Sequence, residues 1–548
     1  MTTLQERSAL RTHRLTALGT RRLAALPVGP TAAVLGVFAL LVTWLGSWNP
    51  SYWGDEAATV MSALRPLPTL IAELRHVDAV HGLYYLVMHF WIGAFGPSEL
   101  STRFPSAIGV GLLVAGTVVL GARLAGLRFG IVAGLVCLVL PRTTYLATEA
   151  RSYALGTAVA VWVTVWFVGL VRRRELRLRP WLIYGVLVGL SSYLFLYLFL
   201  IVLVHGAVLA ASTVGRRQLG RWLRAAVLAG VVAIPIAVMG YLERSQIAFL
   251  AIRKYANPYD VFVQQWFGDP EHGGPAAGLL WTVPILAWAL IVLGAVLVIA
   301  RTVRRSPDAV LESRSSDRDV LRLGLAWLVI PTALLLAVDA WISPTYNVRY
   351  LSFSTPAAAL LIALGVMALA RAAARILPRA VAQLRGHRRA VTGIAVAVTL
   401  AVLAVTVAPG YLLQRGPYAK DAGSDWRQTA DYIHSVAQPG DAVVFDETTK
   451  PSRRPELAYR LYPQQFAGLK VPEVLTPYED RAAIWDRMAP IADIRSELLS
   501  APSVLAVELP TPGDTPEDVE DLTAHGYTVV SAHLVHRLEV YQLQKERA

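Results

Sequence analysis

One cysteine stands in 548 residues, Cys137, and it lies inside an apolar run. That excludes a disulfide framework and a thiolate metal site. Charge is scarce too: 16% of residues are charged against 55% hydrophobic, and lysine hardly figures among the cations. With a mean hydropathy of +0.48, this is not the balance of a soluble protein with one ordinary core. No internal repeat is visible. The C-terminal part has neither a glycine-rich phosphate cradle nor a compact catalytic triad. The basic start, with Arg7, Arg11, Arg14, Arg21 and Arg22, is followed by no small-residue cleavage site and reads as a cytoplasmic tail over 1–28.

What the chain does have is long apolar runs. A spanning helix needs about 20 apolar residues, and such runs fall near 29–47, 104–121, 126–141, 153–171, 180–192, 194–214, 222–241, 277–300, 322–341, 353–374 and 390–408. The predicted class is a polytopic α-helical membrane protein with about eleven crossings. The net charge of +13 separates accordingly: residues 1–409 hold 37 Lys and Arg against 17 acids, while residues 410–548 hold 14 against 21. Positive charge concentrated in the membrane half sets topology, and a nucleic-acid partner is rejected.

The segment Gly82–Gly96 (GLYYLVMHFWIGAFG) is apolar but short of a span. If it does not cross, every Arg-rich loop lies on the cytoplasmic side, so it reads as an interfacial or re-entrant helix. This topology puts 48–103, 142–152, 242–276 and 342–352 on the outer face of a plasma-membrane protein. Residues 410–548 lie there too, as an extracytoplasmic domain bounded by Pro409-Gly410. In that domain DWRQTADYIHSV reads as a helix, Ala442 to Asp446 and Ser503 to Leu509 as buried strands, and Tyr527 to Leu543 as a hairpin, making a small α/β domain.

The outer loops hold most of the membrane half's unusual polar residues. Asp55 and Glu56 follow the first span in Trp53-Gly54-Asp55-Glu56, where a carboxylate pair has no packing reason to be. Asp78, His81 and Tyr84-Tyr85 lie further along the same loop. Glu149, Arg151 and Tyr153 stand in the second outer loop, and Tyr346, Arg349 and Tyr350 in SPTYNVRY before the tenth span. Sugar transfer from a phosphorylated lipid needs such a set. A carboxylate acts on the acceptor hydroxyl, arginines take the phosphate oxygens, and aromatic faces stack on sugar rings. Each residue also has a plainer role: Asp55 and Asp78 as helix caps, Arg151 as an interfacial anchor, Glu149 as its structural partner. Arg349 favours phosphate binding, because positive residues are disfavoured on the outer face. Glu243, Arg244, Arg253 and Lys254 form a candidate gate.

In their order, Trp53 to Glu56, Asp78 to Tyr85, Glu99 to Ser106 (ELSTRFPS), Glu149 to Tyr153 and Asn347 to Leu351 resemble the GT-C glycosyltransferases. The branch is that of the protein mannosyltransferases and aminoarabinose transferases, family 39. The resemblance covers about residues 45–360, and Asp425-Trp426-Arg427 resembles the start of the outer domain in actinobacterial members. It implies a polyprenyl-phosphate sugar donor, an extracytoplasmic envelope glycan or lipoglycan as acceptor, and Asp55 as catalytic residue with Glu56 beside it. From their place in the outer loops, Asp78, His81, Tyr84, Tyr85, Glu149, Arg151, Tyr153, Tyr346, Arg349 and Tyr350 are the expected substrate contacts. The Arg-rich, Lys-poor, Ala/Val-rich composition looks like that of a high-GC actinobacterial protein, for which the resemblance implies a mannosyltransferase of the lipoarabinomannan pathway. His81-Gly82 departs from the Pro-Pro usual in the family. No cofactor is assigned, although Asp55, Glu56, Asp78 and Glu149 are oxygen ligands of the type Mg²⁺ or Mn²⁺ takes. The competing expectations are arabinose or aminosugar transfer, and lipid transport, which would place polar residues such as His205 and Asp339 to work inside the spans.

Overall fold

The computed structural model describes residues 27–212, 215–303, 312–380, 386–510 and 513–545. Arg7, Arg11, Arg14, Arg21 and Arg22 of the expected tail lie outside the described residues. Among the described residues seven helices are long and apolar enough to cross a membrane: Glu99–Ala125, Tyr153–Arg172, Arg216–Leu242, Gly273–Arg301, Ser316–Trp341, Ser352–Pro378 and Arg388–Leu413. The protein is a multi-pass helical membrane protein. The other four expected spans fall on shorter helices, Val28–Trp44, Leu127–Val139, Leu178–Leu194 and Ile201–Ala210. The last of these continues directly from a 3-10 turn, so the apolar helical stretch is Leu196–Ala210.

Tight helix packing in the membrane half rests on small residues. A Cβ on Gly36 would meet the carbonyl oxygen of Gly111 at 2.8 Å, and one on Gly111 would meet that of Gly36 at 2.9 Å. Helices Val28–Trp44 and Phe104–Ala125 therefore approach backbone to backbone, where dispersion contacts and not water exclusion hold helices together. The polar residues within the spans serve packing. His205 bonds Tyr184 Oη at 2.8 Å and Thr164 Oγ1 at 3.1 Å, and Asp339 Oδ1 accepts from the backbone N–H groups of Thr345 and Tyr346.

The segment from Gly82 is a helix over Gly82–Phe95, about 21 Å long. Tyr84, Tyr85, Met88 and Ile92 pack with Ala63 and Leu70, while Leu83, Leu86, Val87 and Phe90 are exposed. One face thus rests on neighbouring short helices and the other is apolar and uncovered.

The expected boundary at Pro409-Gly410 is corrected: helix Arg388–Leu413 runs through Pro409. A proline inside a helix loses one hydrogen bond, which a packed membrane helix tolerates. Beyond it come helix Trp426–Val436 and six strands, β1 Ala442–Phe445, β2 Val474–Thr476, β3 Arg487–Met488, β4 Ser503–Glu508, β5 Tyr527–Leu534 and β6 Glu539–Lys545. Four of them form one sheet in the order β1-β4-β6-β5. β1 and β4 run parallel, with Val443 opposite Leu505, and β6 is antiparallel to both its neighbours. β2 and β3 pair separately.

This sheet shares its core with the first loop of the membrane half. Tyr52, Ala57, Val60 and Met61 pack with Trp426, Ile433, Val443, Phe445 and Leu505 in one buried cluster. Asp425-Trp426-Arg427 anchors that union. Asp425 Oδ2 accepts from the N–H groups of Arg537 and Leu538, at 2.7 and 2.9 Å, Trp426 is fully buried, and Arg427 donates to the carbonyls of Trp48 and Asn49. Helix Gly54–Leu64, which carries Asp55, is therefore held between the two halves.

Candidate functional site

Helix Gly54–Leu64 begins after extended Trp53, with Asp55 and Glu56 in its first turn, where carboxylates oppose the helix dipole favourably. Successive helix residues point about 100° apart, so the pair cannot face one substrate. Glu56 turns inward: Arg103 donates Nε to its Oε1 at 2.7 Å and Nη2 to its Oε2 at 2.6 Å, and the Ala150 N–H donates to Oε1 at 2.8 Å. Both side chains are fully buried. The expectation that Glu56 shares the chemistry is corrected, because this two-pronged ion pair occupies both its oxygens.

Asp55 faces a cavity of about 400 Å³. Its Oδ2 accepts from Arg349 Nη1 at 2.8 Å, and the same Nη1 lies 3.7 Å from Glu149 Oε1. The Arg349 guanidinium also sits over Trp53, 4.7 Å from the ring centroid, within cation–π range. Arg151 fixes the other side. Its Nη1 donates to the Asp55 carbonyl, Thr59 Oγ1 and Tyr85 Oη at 3.2, 3.3 and 3.2 Å, and its Nη2 to His81 Nε2 at 3.0 Å. An arginine only donates, so His81 Nε2 accepts and the ring proton sits on Nδ1. Burial, with Arg151 adding to it, pushes the His81 imidazole down to about 4. It is neutral at physiological pH.

Burial works to raise the Asp55 carboxyl, but Arg349, Arg151 and His81 outweigh it and hold the group below the ordinary carboxylate range. Asp55 is thus ionised, with a guanidinium on each side. Asp78 stands in the left-handed region at φ 58°, which aspartate tolerates better than most residues, and accepts from Tyr85 Oη.

The cavity lining is mixed. Asp55, His81, Arg151 and Arg349 bring charge and hydrogen-bonding groups, and Val80, Phe195, Leu196, Ile247 and Phe249 apolar surface. Ser452, Ile484 and Trp485 of the C-terminal region also line the space. Tyr350 is stacked on Tyr197, with ring centroids 5.3 Å apart. An amphipathic lipid with a charged head matches this lining, with apolar groups for the chain and two arginines for the anion.

Neither a protein-family model nor a curated protein matches the chain. Among solved structures it is similar to ArnT from Cupriavidus metallidurans in the apo state, at 15% identity and a TM-score of 0.49, over 93% of this chain and 97% of that one. The undecaprenyl phosphate complex of the same protein gives 15% identity and 0.45 over the same shares. The archaeal oligosaccharyltransferase AglB from Archaeoglobus fulgidus, with an inhibitory peptide and a dolichol-phosphate bound, gives 11% and 0.45 over 86% of this chain and 69% of that one. At these values the likeness assigns neither activity nor residues, and the site stands on its own geometry.

Of the expected substrate contacts, Asp78, His81, Arg151, Tyr153, Arg349 and Tyr350 line the cavity; Tyr84, Tyr85, Glu149 and Tyr346 do not. Tyr84 is packed in the apolar cluster beneath the Gly82–Phe95 helix. Tyr346 Oη donates to Gln265 Oε1 at 2.6 Å in the core. Both expectations are corrected, since an aromatic in a loop sequence is as readily a core residue as a stacking platform. Tyr85 and Glu149 stand one layer back, against Arg151 and Arg349 respectively. Among the described residues no group of three or more His, Cys, Asp or Glu is placed to hold a metal ion. In Asp55, Glu56, Asp78 and Glu149, the set offered by the sequence, Glu56 is paired with Arg103 and Asp55 with Arg349.

Sequence reasoning missed Arg103, whose ELSTRFPS context gave no sign of a buried partner. It also missed Lys420, which is buried, donates to Thr148 Oγ1 at 2.8 Å and lies over the Tyr145 ring at 4.0 Å. Burial lowers the Lys420 ammonium to about 8, against the pull of Glu149 and Glu56. Trp485 was missed as well, because nothing local distinguishes it from any aromatic in a turn.

Proposed function

We propose that this chain is a GT-C-type glycosyltransferase that moves a sugar, mannose in the first instance, from a polyprenyl-phosphate donor to an extracytoplasmic envelope glycan or lipoglycan. The observation that carries the reading is one ionised carboxylate, Asp55, set between Arg349 and Arg151 in a cavity partly lined by apolar groups. The prenyl chain lies along Phe195, Leu196 and Phe249. The phosphate takes Arg349 and Arg151, and Asp55 accepts the proton of the attacking hydroxyl as the anomeric carbon loses its phosphate.

Arg349 has two roles in turn. Before the donor binds it neutralises Asp55, and a phosphate that draws it away removes the charge that keeps Asp55 weakly basic. Arabinose and aminosugar donors fit the same cavity, and inversion at the anomeric carbon is an analogy with the resembled family. No observation favours transport, since His205 and Asp339 are bonded within the helices and their connections. The test is transfer of radiolabelled mannose from polyprenyl-phosphomannose to lipoglycan in membranes carrying wild type or Asp55→Asn at matched levels. Product from wild type alone supports the reading. Equal labelling removes Asp55 from the chemistry, and none from wild type removes mannose as the donor sugar.

A further inference from the structure

The C-terminal region does more than cover the cavity, because one of its turns is fixed to the Asp55 helix with unusual thoroughness. Arg65, the residue that ends helix Gly54–Leu64, is fully buried and donates to the carbonyls of Tyr478, Arg481, Ala483 and Ile484. Its Nε is ion-paired to Glu73 Oε2 at 2.8 Å, and Ser62 Oγ donates to Glu73 Oε1 at 2.7 Å. On the far side of the turn, Arg481 Nη1 donates to the Trp485 carbonyl at 2.8 Å. The Asp486 carboxylate takes two bonds from Arg460 and one from the Tyr478 N–H. The backbone is thus held on both sides of Trp485, while the side chain itself is only partly buried and lines the cavity.

The approach of Ser452 to Gly54 is equally constrained. A Cβ at Gly54 would meet the Ser452 carbonyl oxygen at 2.2 Å, so only glycine lets Ser452 approach the residue before Asp55. The three cavity residues from this region, Ser452, Ile484 and Trp485, carry no charge. A rigidly presented aromatic face, a hydroxyl and an aliphatic group suit an uncharged polyhydroxylated ring; an ionic ligand would find no counter-charge among them. A fixed aromatic ring is also an inexpensive anchor, since little side-chain freedom is lost when a ligand stacks on it.

We propose that Trp485 is the stacking platform for the acceptor, that the acceptor is a neutral sugar ring, and that Arg65 is the positioning residue that holds the platform in register with Asp55. This rests on the transferase reading. Ser452 faces the same ring from the Gly54 side and contributes a hydrogen bond to one of its hydroxyls.

The experiment uses full-length protein in membranes with polyprenyl-phosphomannose. The acceptors are alkyl glycosides of a mannosyl and of an arabinosyl disaccharide, and a Ser/Thr-rich peptide. Trp485→Ala is expected to raise the KM for the disaccharide about tenfold, with donor KM unchanged, and Trp485→Phe to restore most of the loss. Transfer by wild type with an unchanged acceptor KM in Trp485→Ala overturns the platform, as does a failure of Trp485→Phe to recover it. Transfer to the peptide and to neither disaccharide overturns the acceptor class. Transfer by wild type to none of the three defeats the transferase reading on which this stands.

Discussion

Asp55 in the membrane half and Glu508 at the end of β4 are both carboxylates for which burial is the largest influence, and that influence pushes each pKa up. Their charges nonetheless go opposite ways. Around Asp55 the neighbours are Arg349, Arg151 and His81, which together reverse the effect. Around Glu508 they are Asp518 and Asp446, which add to it, so Glu508 and Asp518 are both held above the ordinary range. Glu473, next to the same strands, is raised for the same reasons, burial first and Asp518 second. The lesson is that acid content says little about where charge resides: the membrane half spends arginines on its carboxylates, and the sheet leaves its own to share protons.

The comparison is most sharply broken at Asp55. Asp55→Asn removes the ionised carboxylate but keeps the shape, and kcat is expected to fall about a hundred- to ten-thousand-fold, measured as initial rates in membranes. Next comes the buried pair beside it. Arg103→Met strands Glu56 without a partner and is expected to cost about 3–5 kcal/mol, read from thermal unfolding in detergent. The double variant Arg103→Met with Glu56→Gln is expected to recover most of that loss, because the cost lies in the unpaired charge. If the single and double variants unfold alike, the pair is not what holds this helix.

A smaller effect is expected for Arg349→Lys. It keeps the charge but gives up the planar fork, and kcat/KM for the donor should fall about tenfold, with the loss mainly in donor KM. The mildest test concerns Glu508. Its folded pKa is raised, so between the ordinary carboxylate pKa and that raised value the native chain keeps a proton that the unfolded chain has released. Stability is therefore present at low pH and lost as pH rises through the folded pKa. Glu508→Gln should flatten the fall in unfolding free energy between pH 6 and 9 by on the order of 1 kcal/mol. Asp55 has the opposite sign: its folded pKa is lowered, so what its ion pair contributes is lost as pH falls through that lowered value.

Much of the fold was legible because apolar runs and strand alternation are local. All seven long membrane helices coincide with runs read from the sequence, and the strands after Pro439-Gly440 fall where β-branched residues cluster. The other four apolar runs also fall on helices, and only their shorter length sets them apart from the seven. Pro409 was read as a boundary by the rule for soluble helices, whereas a packed membrane helix runs through it. In the site, Asp55, Arg151 and Arg349 were legible as polar residues out of place. Tyr84 and Tyr346 were not separable from them, because an aromatic side chain gives no local sign of which way it faces.

By itself the sequence determined that this chain crosses a membrane several times, and that its polar residues gather in a few connecting segments. It also determined that a small α/β region follows the last long helix. Composition and periodicity are properties of short windows, and hydrophobic burial acts on them directly. Only the tertiary structure decided that Asp55 meets Arg349 across 294 residues of sequence, that Glu56 turns away to Arg103, and that Arg65 ties a distant turn to the same helix. Those choices depend on which charged groups the packed helices and the sheet bring within a few ångströms of one another. Electrostatics at that range follows distance in space, and the chain's order does not encode it in any short window.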